Sequence, residues 1–233
     1  MRSLLAVVLV FSMQVAGFSQ TTGTRLPAVD RAVESEMQSQ QIVGAALGVI
    51  RNGRVYYTRG YGFANLEDRK PFRVSTVFNW ASNSKPLIAL AALQLADAGD
   101  LDLDASIATY LPDLPAALHE VTTRHLLCHQ SGIPHYSNGR VISTGDVVSP
   151  ADEIDPQQAM KRFLRSPLLF QPGSRSEYSS YAYVLLTAVV QAAGEQPISD
   201  QLSRRITSPL RLRSFQLDMP FDRQANWTFA YRI

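Results

Sequence analysis

A serine and a lysine stand three residues apart at the start of an apolar segment, in the run Ser82-Asn83-Ser84-Lys85. Three residues make nearly one helical turn, so the hydroxyl of Ser82 and the amine of Lys85 would emerge on one face. A serine hydroxyl is a weak nucleophile that needs a neighbouring base. A lysine amine can be that base when burial lowers its pKa. A helix N-terminus adds a dipole and a backbone N–H that stabilise an oxyanion.

The same four residues also fit a purely structural role, in which Ser82 or Ser84 caps a helix and Lys85 is solvated. Pro86 lacks an N–H, which is tolerated only in the first turn of a helix. It therefore fits a helix that begins near Ser82, and equally a helix that is capped by Ser84. A four-residue motif recurs often by chance, so taken alone this one favours the structural interpretation.

The elements around the pair follow from apolar periodicity and turn residues. Helical spacing predicts helices over residues 27–41, 82–98, 122–130, 157–164 and 181–193, with Gly99 and Gly194 as stops. Two β-prone runs, 43–50 and 54–58, flank Asn52-Gly53. Asn-Gly between such runs predicts a hairpin, because both turn positions need a positive φ.

Composition bounds the class of protein. The chain has 233 residues, of which 45% are hydrophobic and 18% charged, with a formal net charge of +2 and one cysteine. This composition is typical of a folded domain and not of a disordered chain. The near-zero charge gives no field for nucleic acid, so no nucleic-acid partner is predicted. A single cysteine excludes an intrachain disulfide.

The N-terminus has the pattern of a secretory signal peptide. A charged residue, Arg2, precedes the apolar run 4–11, and small residues follow at Gly17 and Ser19. A transmembrane anchor is the alternative, but the run is well short of the roughly 20 residues needed to span a bilayer. We therefore predict a signal peptide over 1–19, a linker over 20–26 and one domain over 27–233. The mature protein would be periplasmic or extracellular, with no stable membrane span after signal removal.

Four side chains of types that bind zinc stand close together in the sequence: His125, Cys128, His129 and His135. Their spacing matches no familiar zinc pattern, so no metal site is predicted. Cys128 lies in a segment that is expected to be helical and apolar, and is predicted to be a small core residue.

Several further motifs resemble, in chain order, the serine β-lactamase-like family of class C β-lactamases, D-Ala-D-Ala carboxypeptidases and related esterases and peptidases. The resemblance extends from about residue 30 to 232. Besides the Ser82–Lys85 run it is carried by the following stretches: Val43-Gly44-Ala45-Ala46-Leu47-Gly48-Val49, Gly60-Tyr61-Gly62-Phe63-Ala64, Gly99-Asp100-Leu101-Asp102-Leu103-Asp104, Tyr110-Leu111-Pro112, 125–134, Pro172-Gly173 and Tyr178-Ser179-Ser180. It implies an α+β fold, with a helical region and an antiparallel sheet.

The resemblance also implies roles for individual residues. Ser82 would be the acylated nucleophile, and Lys85 the amine that shares its proton. Tyr178 matches the tyrosine of the family's Tyr-x-Asn motif and would be a general base or proton relay; a buried packing tyrosine is the alternative. Ser180 stands at the substrate-contacting position where the family usually has Asn. A serine reaches less far than an amide, which leaves esterase and peptidase activity open beside β-lactam hydrolysis.

The family's third motif, Lys-Thr-Gly or His-x-Gly on a strand, has no counterpart in this sequence. We therefore expect a C-terminally truncated member with an incomplete sheet. Two functions stay open. The first is an exported serine hydrolase that forms an acyl-enzyme on an amide or ester of a small molecule or peptide, such as a cell-wall peptide, a β-lactam or a small ester. The second is a non-catalytic penicillin-binding or sensor-like domain, or an inactive fragment. Neither implies a metal or organic cofactor, and no oligomeric state is predicted.

Overall fold

The computed structural model describes residues 26–139, 141–142 and 155–215. These residues form two compact units, one of residues 26–79 with 212–215 and one of the described residues between Trp80 and Arg211. The predicted signal peptide (1–19) lies outside the described residues, as does the predicted linker (20–26) apart from its last residue.

The first unit consists of one helix and a three-stranded antiparallel sheet in the order β1-β2-β3. Its elements are α1 (Pro27–Ser39), β1 (Gly44–Arg51), β2 (Arg54–Asn65) and β3 (Lys70–Pro71). Strands β1 and β2 pair from Gly44 opposite Gly62 to Arg51 opposite Arg54. The connecting residues Asn52 and Gly53 have φ of 52° and 71°. The predicted Asn-Gly hairpin is therefore confirmed.

One carboxylate holds α1 to the second strand. Asp30 accepts hydrogen bonds from the hydroxyls of Tyr57 and Tyr61, the latter at 2.7 Å. It also pairs with the guanidinium of Arg59 at 2.5 Å. The hydrogen bond from Tyr57 is the largest cause that lowers the pKa of Asp30. These contacts fix the rotation of α1, which buries no residue completely.

The second unit is helical. Its elements are α2 (Lys85–Ala98), α3 (Thr123–Leu127), α4 (Pro156–Ala159), α5 (Ser180–Ala193) and α6 (Ile198–Leu202), with a π-helical turn over Ser203–Thr207. Fully buried aliphatic side chains from α2, α3 and α5 meet in one core: Leu95, Leu126, Leu185, Leu186 and Val189. The chain thus contains both helices and an antiparallel sheet, which confirms the predicted α+β class.

Three of the predicted helices differ from the structure by three residues or more at one end. The segment that begins at Ser82 opens with a 3₁₀ turn, Ala81–Ser84, and becomes α-helical only at Lys85. The predicted helix 122–130 ends at Leu127, because the chain turns into the left-handed region at His129 (φ 55°). The predicted helix 157–164 is α4 followed by a 3₁₀ turn, Met160–Arg162.

The prediction that Cys128 is a core residue is wrong. Its side chain is exposed, because α3 ends one residue earlier and Cys128 takes the position after the last helical residue. Within the part of the chain that the structure describes, no helix is both long and apolar enough to span a bilayer.

Candidate active site

Ser82 and Lys85 lie where a 3₁₀ turn meets the first turn of α2. Ser82 is in the turn Ala81–Ser84, and Lys85 is the first residue of the α-helix. Ala81, directly before the serine, has a φ of 44°, a strained value for a residue with a Cβ. Ser84 occupies the N-cap position of α2 but makes no side-chain capping hydrogen bond. The helix cap that was the structural alternative for this motif is therefore not made by Ser84.

Tyr178 lies immediately before the N-cap of α5. The cap is Ser179, whose hydroxyl accepts a hydrogen bond from the Ala182 N–H at 3.1 Å and donates one to the Pro134 carbonyl at 2.9 Å. Ser179 is almost fully buried, whereas Tyr178 is 44% exposed. The buried packing tyrosine considered for Tyr178 is therefore excluded, and its side chain is partly exposed beside an anchored helix terminus.

Packing between α2 and α5 brings the two segments together. Both helices contribute completely buried alanines to the same core: Ala91 and Ala92 in α2, and Ala182 and Ala188 in α5. Because α2 and α5 pack together, the residues at their N-terminal ends can meet at one point. That point is the site.

The three predicted catalytic residues meet at the hydroxyl of Ser82. Its Oγ lies 2.7 Å from Oη of Tyr178 and accepts a hydrogen bond from Nζ of Lys85 at 3.1 Å. The ammonium of Lys85 also lies over two aromatic rings, 5.1 Å from the ring centroid of Tyr178 and 5.7 Å from that of Tyr183. These cation–π contacts hold the lysine head beside the serine.

The phenol of Tyr178 is more acidic than an ordinary tyrosine. The hydrogen bond with Lys85 is the largest cause, followed by the hydrogen bond with Ser82, and together they lower the pKa of Tyr178 from 10 to about 8. Burial opposes this shift, and the hydroxyl of Ser180 adds to it. At about pH 7 roughly one tenth of such a phenol is ionised. Tyr178 is therefore a base that is available near neutral pH.

Ser180, the predicted substrate-contacting residue, is the first residue of α5 and is half-buried. Its hydroxyl is a hydrogen-bond partner of Tyr178 that lowers the pKa of the phenol. Its backbone N–H donates to Nδ1 of His135 at 3.1 Å. The structure thus places Ser180 beside the same hydroxyl cluster as the other three predicted residues.

Two histidines that the sequence analysis does not assign to the site lie against Tyr178. The ring centroid of His129 is 4.6 Å from that of Tyr178, and the ring centroid of His135 is 5.4 Å away. The pattern that contains them, a helix end followed by Gly132 and Pro134, predicts a turn but not what the turn contacts. Nothing in their spacing relates them to a tyrosine more than forty residues later.

Metal ligation was the other interpretation of these histidines. Among the residues that the structure describes, no three His, Cys, Asp or Glu side chains are grouped so that they could hold a metal ion. The Nδ1 atoms of His129 and His135 accept backbone N–H groups.

A nucleophilic hydroxyl, a perturbed phenol and an ammonium within hydrogen-bond reach of one another form the arrangement of an activated serine. The family model named beta-lactamase matches residues 29–232. The chain therefore belongs to the beta-lactamase family.

One relative is named as an esterase. Esterase EstB of Burkholderia gladioli is 32% identical over 212 residues, which are 87% of this chain and 54% of that protein. Protein flp of Staphylococcus aureus (strain COL) is 26% identical over 188 residues, which are 79% of this chain and 36% of that protein. The chain thus spans about half the length of EstB and about a third of that of flp.

Solved structures agree with the family. The octameric penicillin-binding protein homologue from Pyrococcus abyssi matches with a TM-score of 0.68 and 26% identity, covering 81% of this chain and 43% of that one. EstCE1, described as a hydrolase with promiscuous acyltransferase activity, matches with a TM-score of 0.66 and 26% identity, covering 78% of this chain and 50% of that one. The predicted β-lactamase/penicillin-binding-protein-like fold is confirmed.

Proposed function

We propose that the protein is an exported serine hydrolase that cleaves an ester or amide through an acyl-enzyme on Ser82. The observation that carries the proposal is the double contact of the Ser82 hydroxyl, at 2.7 Å from the hydroxyl of Tyr178 and 3.1 Å from the ammonium of Lys85. A hydroxyl with a base on one side and a cation on the other is prepared to lose its proton.

The first half-reaction transfers the acyl group to the serine. Tyr178, as phenolate, takes the proton of Ser82 while Oγ forms a bond to the substrate carbonyl carbon. The backbone N–H of Ser82 supplies one hydrogen bond to the resulting oxyanion. When the tetrahedral intermediate collapses, the bond to the leaving group breaks, and the leaving oxygen or nitrogen receives the proton from the Tyr178 hydroxyl.

The second half-reaction returns the enzyme. A water molecule loses a proton to the Tyr178 phenolate and attacks the acyl carbon. The bond to Ser82 Oγ then breaks, and the serine oxygen regains a proton from Tyr178. Lys85 stays charged throughout, and its hydrogen bonds to the phenolate and to the serine keep the phenol acidic.

The names of two relatives support a proposal for the substrate class. EstB and EstCE1 are named as an esterase and a hydrolase, and Ser180 takes the place of the family's larger Asn. Small acyl esters are therefore our first choice of substrate, ahead of cell-wall peptides and β-lactams. We propose export on the pattern of residues 1–19, a charged start followed by an apolar run.

The test is covalent labelling of the full chain and of Ser82→Ala with a fluorescent fluorophosphonate and a fluorescent penicillin, together with hydrolysis of short p-nitrophenyl esters. Labelling and turnover that both vanish in Ser82→Ala would support the hydrolase. Stable penicillin labelling without turnover would indicate the sensor-like alternative. Absence of both in the folded chain would indicate an inactive fragment. Ser84→Ala is the matched control, and it should keep both labelling and turnover.

Export has its own test. Expression of the full chain in a bacterial host, followed by fractionation and N-terminal sequencing, should give a mature protein that begins near Gln20 outside the cytoplasm. An unprocessed chain retained in the cytoplasm would contradict this part of the proposal without bearing on the chemistry of Ser82.

A further inference from the structure

The backbone on both sides of Tyr178 is hydrogen-bonded to two histidines. The N–H of Ser179 donates to Nδ1 of His129 at 3.2 Å, and the N–H of Ser180 donates to Nδ1 of His135 at 3.1 Å. On the other side of the tyrosine, the N–H of Glu177 donates to the carbonyl of His129 at 2.8 Å. Two histidines therefore accept three backbone hydrogen bonds, which fix the peptides that flank the catalytic phenol.

The same two imidazoles also bracket the phenol ring. His129 lies at an interplanar angle of 38° to Tyr178, and His135 meets the ring edge-on at 79°. The side chain is not enclosed, since 44% of Tyr178 is exposed to solvent. The two histidine rings, together with the ammonium of Lys85 over the phenol ring, thus restrain a side chain that must keep its hydroxyl on Ser82.

We infer that His129 and His135 are positioning residues that hold the Tyr178 hydroxyl against Ser82, by accepting the backbone N–H groups of the two residues that follow it. The consequence for rate rests on the proposed function. The consequence for the phenol itself does not, because it can be observed without any substrate.

This role requires an unprotonated Nδ1 on each ring. A nitrogen that accepts an N–H bond has no proton of its own, so both histidines are neutral and carry their proton on Nε2. A second proton would put N–H opposite N–H and break the bond to Ser179 or Ser180. Acidification should therefore release Tyr178 in a step separate from protonation of the phenol.

The surroundings keep both rings neutral. Burial is the largest cause that lowers the pKa of His129 and of His135, and the charge of Lys85 adds to it in each case. The other titratable groups that face or adjoin the two rings are Cys128, Tyr136, Glu177, Tyr178 and Tyr183. Among them, Glu177 is already paired with Arg175 at 3.1 Å and with the Asn138 amide at 2.7 Å.

Two substitutions at each histidine distinguish the effect of the hydrogen-bond acceptor from the effect of the aromatic ring. Asparagine places Oδ1 where histidine has Nδ1, so His129→Asn and His135→Asn keep an acceptor that cannot titrate. Phenylalanine keeps an aromatic ring but no acceptor. The titration of Tyr178 is measured in the full chain as the near-ultraviolet phenolate absorbance of each protein, minus that of the same protein carrying Tyr178→Phe.

In the Phe variants we expect the Tyr178 midpoint to move from about 8 toward the ordinary value of about 10. Ester hydrolysis should lose about tenfold or more in kcat, with KM little changed. The Asn variants should keep the midpoint and recover most of the rate. In the acid range where histidine titrates, their activity should fall only as the phenol is protonated, without the additional fall that protonation of the histidines causes in the wild type.

The control is His125→Asn. His125 also accepts a backbone N–H through Nδ1, from Thr122 at 3.3 Å, but there it caps α3. This variant should leave the midpoint and the acid limb unchanged.

A Tyr178 midpoint unchanged in the Phe variants would overturn the inference. Asn variants whose Tyr178 midpoint moves toward about 10 would also overturn the inference, and this result remains decisive if the Phe variants do not fold. If the wild type hydrolyses no ester but the Tyr178 midpoint moves in the Phe variants as described, the result would refute the proposed function. The positioning role would still be supported.

Discussion

The hydroxyl of Tyr178 lies 2.7 Å from the hydroxyl of Ser82, although 96 positions separate them in the sequence. The contact exists because α2 and α5 pack against each other, with the serine before one helix and the tyrosine before the other. Lys85 completes the cluster from the first turn of α2. The reactive hydroxyl therefore depends on two helix N-termini and not on a flexible loop.

Removal of the phenol hydroxyl should impair chemistry more than binding. We expect Tyr178→Phe to lower kcat about 10²–10⁴-fold and to change KM little, as measured on a p-nitrophenyl ester. Tyr181→Phe is the matched control, because Tyr181 stacks on Phe163 at 4.7 Å and a phenylalanine keeps that contact. Equal losses in the two variants would refute a catalytic role for the hydroxyl.

The pH dependence of kcat/KM should report the same phenol. Since Tyr178 acts as phenolate and its pKa is about 8, the rate should rise tenfold per pH unit below that value and level off above it. The sign follows from the base being the deprotonated form. A pH–rate series on the wild type and on Tyr178→Phe checks this, because the limb near 8 should be absent from the variant.

Lys85 should be the main source of the phenol's acidity. Loss of its ammonium in Lys85→Met removes the largest cause of the lowered pKa, so the Tyr178 midpoint should rise toward about 10. Phenolate absorbance measured against pH gives the midpoint directly. Lys161→Met is the control, because Lys161 bonds to the side chain of Gln158. A midpoint that stays near 8 without Lys85 would contradict our account.

The turn that carries both histidines should be intolerant of a side chain at Gly132. Its φ is 75°, and a Cβ there would lie 2.2 Å from the Phe170 carbonyl oxygen. Left-handed strain and steric overlap together should lower the free energy of unfolding by about 3 kcal/mol in Gly132→Ala. Gly99→Ala has a similar φ of 83° with open space around it, so it isolates the strain at about 1 kcal/mol. Urea unfolding measures both, and equal losses would show that the overlap relaxes freely.

The parts of this molecule that were predictable from sequence are those with local causes. Asn52-Gly53 predicted its hairpin because the turn needs two positive φ values within two residues. The spacing of Ser82 and Lys85 predicted their proximity because one helical turn decides it. Tyr178 was placed by the family motif, since no local rule relates it to residue 82.

The features that the sequence did not predict depend on tertiary contacts. Apolar spacing continued the helix at 122–130, but the backbone at His129 turns left-handed (φ 55°) and ends it early. That same turn exposes Cys128 and directs the rings of His129 and His135 toward Tyr178. The spacing of residues 125–135 carries no information about contacts with residues near α5. The sequence alone therefore could not assign His129 and His135 to the site.

His135 binds residue 180 through its main-chain N–H, and this bond does not depend on which side chain the residue carries. The hydroxyl of Ser180, meanwhile, contributes to the acidity of the neighbouring phenol. The backbone of Ser180 thus holds the segment in place, while its side chain lowers the pKa of Tyr178. A substitution at this position can therefore change the acidity of the phenol while the backbone bond that holds the segment of the tyrosine is kept.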